Sequence, residues 1–152
     1  MAKRSAGIVP YRRHDGQWQV LLVHPGGPFW ARKDDGAWSI AKGEVDGSES
    51  ALDAAVREFQ EETGRRLPGP FQPLKPVRLK SGKIIDAWAT EHDWDLAGFV
   101  SNTFEVELRR GSGTFKTFPE VDRVQWFDFD SALRKIHAGQ MALLIELRAA
   151  LP

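Results

Sequence analysis

The segment GEVDGSESALDAAVREFQEETG, residues 43–64, constrains this chain most, because it joins a helical period to a charge distribution that a free helix avoids. Leu52, Ala55, Val56 and Phe59 recur at the i, i+3, i+4, i+7 spacing of one helix face, which predicts an amphipathic helix from about Ser50 to Thr63. Ser50 or Ser48 caps its start, Gly64 supplies the left-handed residue that closes it, and Arg65 and Arg66 place positive charge beside its last carbonyls. Glu58, Glu61 and Glu62 work against that design. The negative end of the helix dipole disfavours an anion there by about 0.3–1 kcal/mol, and the i, i+3, i+4 spacing sets three like charges on one face. The small residues Ala51 and Ala54 lie near this face and leave room for a close approach.

A solvated acidic face, with Arg57 paired to Glu61, is the plainer account of such charges. It does not explain why they gather at the end that repels them, whereas a bound divalent cation turns mutual repulsion into shared attraction. Hard cations such as Mg²⁺ take oxygen ligands and are usually held by one or two carboxylates together with a substrate's phosphates. The pattern therefore points to phosphate chemistry.

The spacing also carries a resemblance. Gly43, five residues, Glu49, seven residues, then Arg57-Glu58-Phe59-Gln60-Glu61-Glu62-Thr63-Gly64 resembles the Nudix box, G-x5-E-x7-R-E-U-x-E-E-x-G-U with U a bulky apolar residue. Every fixed polar and glycine position matches, and Phe59 fills the first U position. Arg65 stands where the final U is expected, a departure that bears on packing beneath the helix end. Ala41 stands where family members often carry proline, which implies a less rigid loop. The run from Trp38 to Gly43, W-x-x-x-K-G, is similar to the one preceding the box in dinucleoside polyphosphate hydrolases.

Composition is compatible with a compact enzyme. The 152 residues contain no Pro/Gly/Ser-rich linker, so one domain over residues 1–152 is expected. Lysine plus arginine and aspartate plus glutamate balance at 21 each, which argues against a nonspecific nucleic-acid binder and leaves no clear nucleic-acid surface, a local basic patch aside. The absence of cysteine excludes a disulfide framework and a zinc–thiolate site. No apolar run approaches the roughly 18 residues of a membrane span, and MAKRSAGIVPYRR lacks the apolar region of a signal peptide, so a soluble cytoplasmic protein is expected.

Along the chain, Ser5 to Arg12 and Gln17 to His24 predict two strands joined by the turn His14-Asp15-Gly16. HPGGPFWARKDDG, residues 24–36, predicts a loop, Trp38-Ser39-Ile40 a short extended stretch, and LPGPFQP a connector after the helix. Strand candidates follow at Val77 to Lys80, Lys83 to Ala89, Asn102 to Leu108 and Val124 to Phe127, with Asp130 to His137 and Gln140 to Leu151 helical. Strands grouped around interspersed helices suggest an α/β/α sandwich with a mixed central sheet, the architecture that the resemblance also implies, the Nudix fold.

Pyrophosphate oxygens repel an incoming nucleophile, so a catalyst must neutralise phosphate charge and position an activated water. The resemblance implies that Glu58 and Glu62 are the principal ligands of Mg²⁺ or Mn²⁺, with Glu61 as a further ligand or base and the Gly43 carbonyl joining them. It implies that Arg57 orients a glutamate, that Glu49 holds the loop–helix geometry by pairing with Arg57, and that the reaction is hydrolysis of a nucleoside diphosphate linked to a group X. In this family the general base lies within the box or on a later loop; Glu120 is the outside candidate, and an ordinary loop acid is an even alternative.

Substrate recognition is less determined. Phe29 and Trp30 are placed to stack on a nucleobase or to tuck onto the core. Lys42, beside Gly43, is the better candidate to meet phosphates, with surface solvation the simpler account of Arg32 and Lys33. Trp88 and Trp94 line a pocket or the core, Glu105 and Glu107 share the strand face opposite Phe104 and Val106, and the four histidines show no metal-ligand spacing. The expected partner is a small-molecule nucleotide; X and the oligomeric state stay open. A non-catalytic Nudix nucleotide-binding module is the alternative, and it could have discarded the acids this chain keeps. Isoprenoid diphosphate isomerisation usually calls for a cysteine, which is missing.

Overall fold

The computed structural model describes residues 3–152. The first two strands form as their alternation predicts: β1 (Arg4–His14) and β2 (Gln17–Pro25) make a hairpin whose turn holds Asp15 at φ 50° and Gly16 at φ 78°. Two successive left-handed residues match the twist of the flanking strands. The strands pair only from Tyr11–Val20 to His14–Gln17 and then diverge. Residues 38–44 enter the fork: Ser39 exchanges backbone hydrogen bonds of 2.8 and 3.0 Å with Val23, and β3 (Ala41–Glu44) pairs antiparallel with Ser5–Ile8. Ala41 is buried here, so the chain entering the acidic segment is held by the sheet rather than loose.

On the other side of β1, β6 (Ile84–Glu91) runs parallel to it, and the short β4 (Gln72–Pro73) and β5 (Val77–Arg78) add antiparallel to β6. β9 (Val121–Asp128) closes the far edge beside β2, giving a mixed sheet of seven strands. β7 (Thr103–Glu107) and β8 (Phe115–Pro119) form a separate hairpin. Sequence periodicity finds β7 and misses β8 and β4: the expected connector contributes a two-residue strand, and FKTFP is a strand because β7 supplies its partner.

The pleat sends Ile8, Leu21 and Val23 toward α1 (Ala51–Thr63), where they pack with Ala54, Ala55 and Phe59. It sends Val9, Val20 and Leu22 to the opposite face, against Trp38, Leu143 and Leu144 beneath α2 (Phe129–Lys135) and α3 (Met141–Ala150). Each fully buried side chain of this size stabilises by about 1.5–3 kcal/mol. The result is the expected α/β/α sandwich. Among the described residues, no helix is long and apolar enough to cross a membrane.

Ser50, not Ser48, caps α1 by accepting the Asp53 N–H at 3.1 Å, and Gly64 closes it at φ 81°. Arg65 and Arg66 do not serve the last carbonyls as expected. The backbone of residues 100–102 does so: Val100 N–H donates to Thr63 O at 3.2 Å and Asn102 N–H to Glu61 O at 2.7 Å. Arg65 turns instead onto Trp94, its guanidinium 5.0 Å from a ring centroid, and lies 2.9 Å from His92 Nε2. A cation over an indole therefore fills the place of the missing apolar residue.

Candidate active site

Three neighbours build the acidic site around α1. Glu49 accepts the Asp46 N–H at 3.0 Å and two hydrogen bonds from Arg57, at 2.6 and 3.1 Å, which ties the loop before the helix to its second turn. Arg57 is shared more widely than Glu49 or Glu61 alone: it also donates to Glu58 at 3.0 Å, to Glu61 at 3.1 Å and to the Glu44 carbonyl at 3.3 Å. Hydrogen bonding to Arg57 holds the Glu49 carboxyl below its ordinary range, and the same bond raises the guanidinium further above its own. β3 supplies the second neighbour. The Glu58 carboxyl lies against Gly43 so closely that a Cβ at that position would fall inside it.

The third neighbour arrives through a backbone relay. Asn102, docked on the end of α1, accepts the Glu120 N–H at 2.7 Å, and the Glu120 carbonyl accepts the Gly26 N–H at 2.8 Å. Helix end, hairpin root and the loop after β2 are thereby linked, and Glu120 comes close enough to raise the proton affinity of both Glu58 and Glu62. Glu120 itself stays exposed; partial burial of its carboxyl, then Glu61, pushes it up.

Glu62 is the most perturbed of the group. It is 8% exposed, burial and then Glu58 push its carboxyl up to about 9, and its Oε2 has no hydrogen-bond partner. Burial, then Glu61, raises Glu58, with Arg57 opposing. Burial, then Lys83, lowers the Lys42 ammonium, with Glu62 and Glu58 opposing. As the side chains stand, no three acidic or imidazole groups among the described residues converge on one point, and Arg57 lies against both Glu58 and Glu61. The donor set nonetheless fits a hard divalent ion: the acids offer only oxygens, and one buried carboxylate oxygen lacks a partner.

Glu62 and Glu120 open into a cavity of about 280 Å³, whose walls include Trp30, Lys42, Ser39 and Gln140. Trp30 and Lys42 line this cavity, and Phe29 is not tucked onto the core. It is 69% exposed and lines a neighbouring groove instead. Lys33 stacks on Phe29 at 3.7 Å, Arg32 is exposed, and Trp88 and Trp94 pack on the α1 side of the core. Glu107 accepts the Gly111 and Gly113 N–H groups at 2.7 and 3.2 Å and closes the hairpin tip, while Glu105 is exposed.

Sequence reading missed Gly26, Ser39, Asn102 and Gln140. Gln140 Oε1 accepts the Ile40 N–H at 3.1 Å and its Nε2 donates to Ser39 Oγ at 3.0 Å, across 101 positions. No local signal marks such a pair. His24 is fully buried, with Nε2 2.7 Å from the Lys33 carbonyl and Nδ1 2.7 Å from Asp122, so it anchors the loop that carries Phe29 and Trp30 to β9.

A family model described as the NUDIX domain matches residues 1–147. The chain belongs to the Nudix family. An RNA pyrophosphohydrolase of Erythrobacter litoralis (strain HTCC2594) is 29% identical over 154 aligned residues, covering 90% of this chain and 88% of the relative. The asymmetrical bis(5'-nucleosyl)-tetraphosphatase of Rattus norvegicus is 28% identical over 165 aligned residues, covering 99% and 92%. Among solved structures, the NUDIX domain of Shewanella oneidensis NrtR complexed with ADP ribose superposes with a TM-score of 0.70 at 19% identity, covering 100% of this chain and 90% of that one, which establishes the Nudix fold. This Nudix chain is a hydrolase acting on phosphorus-containing acid anhydrides, in a family that generally uses divalent metals.

Proposed function

We propose that this Nudix hydrolase, a single cytoplasmic domain over its whole length, cleaves a pyrophosphate bond in a nucleoside diphosphate linked to X, with Mg²⁺ or Mn²⁺ held by Glu58, Glu61, Glu62 and the Gly43 carbonyl. The single observation that carries this reading is the buried, partnerless Oε2 of Glu62, a residue that lines the cavity. A buried carboxylate with one oxygen left unpaired is disfavoured, even with Lys42 nearby, so the fold retains it where a cation completes it. The names of the RNA pyrophosphohydrolase and the bis(5'-nucleosyl)-tetraphosphatase support a nucleotide as the substrate class.

The ion, when bound, supplies charge neutralisation at the phosphate oxygens. Arg57 and Glu49 act as positioning residues, since their bidentate pair fixes the helix against the loop that carries Gly43. Lys42 meets a phosphate oxygen from the cavity wall, and Trp30 offers an aromatic face to the nucleobase. Glu120 takes the proton of the attacking water, a role suited to a carboxyl whose proton affinity is raised by partial burial and by Glu61.

Purified protein incubated with a panel of nucleotides is expected to release phosphate-containing products with Mg²⁺ or Mn²⁺ and none in excess chelator. Glu62→Gln should lower kcat by about 1000-fold, the order of magnitude expected when several kcal/mol of charge stabilisation is lost. Full activity of that variant would falsify the assignment.

A further inference from the structure

We infer that Arg65 and His92 form a positioning pair that latches the end of α1 to the chain leading toward Glu120, and that a proton on His92 opens this latch. For its catalytic outcome the inference rests on Glu120 acting as the base, as proposed above. Arg65 stands where the box calls for a bulky apolar residue, so the device belongs to this chain and not to the motif.

Arg65 Nε–H and Nη2–H both donate to His92 Nε2, at 3.2 and 2.9 Å. An arginine side chain has donors only, so Nε2 is the acceptor and the neutral ring carries its proton on Nδ1. The guanidinium lies over Trp94 at 5.0 Å; the Trp94 ring is 5.1 Å from His92 and meets Phe59 of α1 edge to face at 6.0 Å. The His92 N–H donates to Tyr11 O at 3.0 Å and so ties the pair to β1. The segment from His92 to Asn102 is thus held at both ends on one helix terminus. Arg65 and Phe59 hold its start, and the Thr63 and Glu61 carbonyls hold its end by accepting from Val100 and Asn102. Asn102 O in turn accepts the Glu120 N–H at 2.7 Å, so loosening the start of the segment reaches Glu120 along one continuous backbone route.

Protonation opposes each of these contacts. A proton on Nε2 removes the acceptor and sets an imidazolium 2.9 Å from a guanidinium. Arg12 adds a further cation, stacked on Trp126 at 4.5 Å, with Trp126 edge-on to Trp94 at 5.3 Å. Asp93 supplies the counter-charge beside the ring, and Arg12 already engages it at 3.1 Å. Glu91, the residue before His92, acts instead on Tyr11, its partner across β1. Burial and then Arg65 hold the imidazole below its ordinary value of 6.5, with Asp93 opposing. The folded state therefore favours the neutral ring: this stabilisation is present above 6.5 and is lost as pH falls through the lower folded value.

Nitrogen-15 NMR of the imidazole, amide hydrogen exchange and kcat, followed from about pH 8 to about pH 4.5, test the latch in the wild type, His92→Gln and Arg65→Leu. Glutamine sets an amide oxygen near the place of Nε2, an acceptor that does not titrate. Leucine restores the apolar residue and removes the cation. The wild type is expected to show the Nδ1–H tautomer at the alkaline end. As pH falls through the ring's own midpoint, the Val100 and Asn102 amides should lose about tenfold in protection beyond the intrinsic change with pH, as loss of one charge-assisted hydrogen bond implies. Over the same step kcat should fall about fivefold relative to His92→Gln, because the base is misplaced and not removed. That ratio cancels the titration of Glu58, Glu62 and Glu120, which both proteins share. Neither variant should show the protection step. An Nε2–H tautomer at the alkaline end, a ring still neutral at the acid end, or an equal loss of protection in His92→Gln overturns the inference; a protection step without a kcat step overturns the route to Glu120. If the wild type hydrolyses no nucleotide, the proposed function fails, and the tautomer and exchange measurements still decide the latch.

Discussion

Gln140 and Glu62 line one cavity from opposite layers of the sandwich, and both are buried, 3% and 8% exposed. On the α3 side Gln140 is matched at both ends, accepting from the Ile40 backbone and donating to Ser39. On the α1 side the Glu62 Oε2 meets nothing. Ser5 Oγ and Trp126 Nε1 are also buried without partners, but neither group ionises, whereas Glu62 either keeps its proton far above the ordinary range or carries a buried charge. The difference separates two uses of buried polarity. A satisfied group pins the fold, and a buried carboxyl with an unpaired oxygen marks where the fold holds something in reserve for a ligand.

The comparison breaks most severely at Glu62→Gln in metal-free protein. The folded Glu62 keeps its proton up to about 9, against an ordinary value of 4.5, so between those limits the folded state binds a proton that the unfolded chain has released. This contribution is complete below the unfolded value and is lost as pH rises through the folded one. Each pH unit within the window costs the apoprotein on the order of 1 kcal/mol through this group. Glutamine carries no such proton, so Glu62→Gln should unfold at a higher temperature than the wild type in chelator at pH 8, with the gap closing toward pH 5. Saturating Mn²⁺ should reverse the order by stabilising only the wild type. Parallel melting curves across that range would show that Glu62 is not held in a destabilised state.

This asymmetry explains what was legible beforehand. The acids of α1 lie within one helical turn of each other, so their spacing exposes them along with the capping serine, the apolar stripe and the closing glycine. The sandwich follows from alternation in β1 and β2, because period-two patterning assigns each residue to a layer. What local pattern does not carry is long-range pairing. β8 becomes a strand only beside β7, Gln140 meets Ser39 from 101 positions away, and Glu120 reaches the acids through the Asn102 backbone. Arg65 belongs with these: beside the helix end lies Trp94, whose nearness no periodicity reveals. Nor does local pattern carry the packing of the β7–β8 hairpin beside Phe29 and Phe104.

The satisfied wall is tested at Gln140→Ala. That change leaves the Ile40 N–H without its acceptor in a buried setting and removes the donor to Ser39. The expected loss is about 2 kcal/mol, which lowers the melting temperature by roughly 4–8 °C in a domain of this size. Unlike the loss at Glu62, it should be the same with and without Mn²⁺ and nearly independent of pH. A Gln140→Ala protein as stable as the wild type would mean that water replaces both partners, and the contrast between the two walls would lose its firmer half.

The smallest effect belongs to Arg57, which gives the α1 wall what satisfaction it has. Its side chain is 38% exposed while it serves Glu49, Glu58 and Glu61, so solvent screens all three pairs. Arg57→Ala should therefore cost less than about 1 kcal/mol in the absence of metal, despite the number of bonds removed. Arg57→Lys should recover only part of that, because one ammonium lacks the planar fork that grips both Glu49 oxygens. If the guanidinium stands in for a cation at Glu58 and Glu61, saturating Mn²⁺ should restore the lost stability of Arg57→Ala by neutralising the same carboxylates. Melting curves recorded with and without Mn²⁺ decide the matter: a deficit that persists in full with metal bound would assign Arg57 to holding the loop through Glu49 alone.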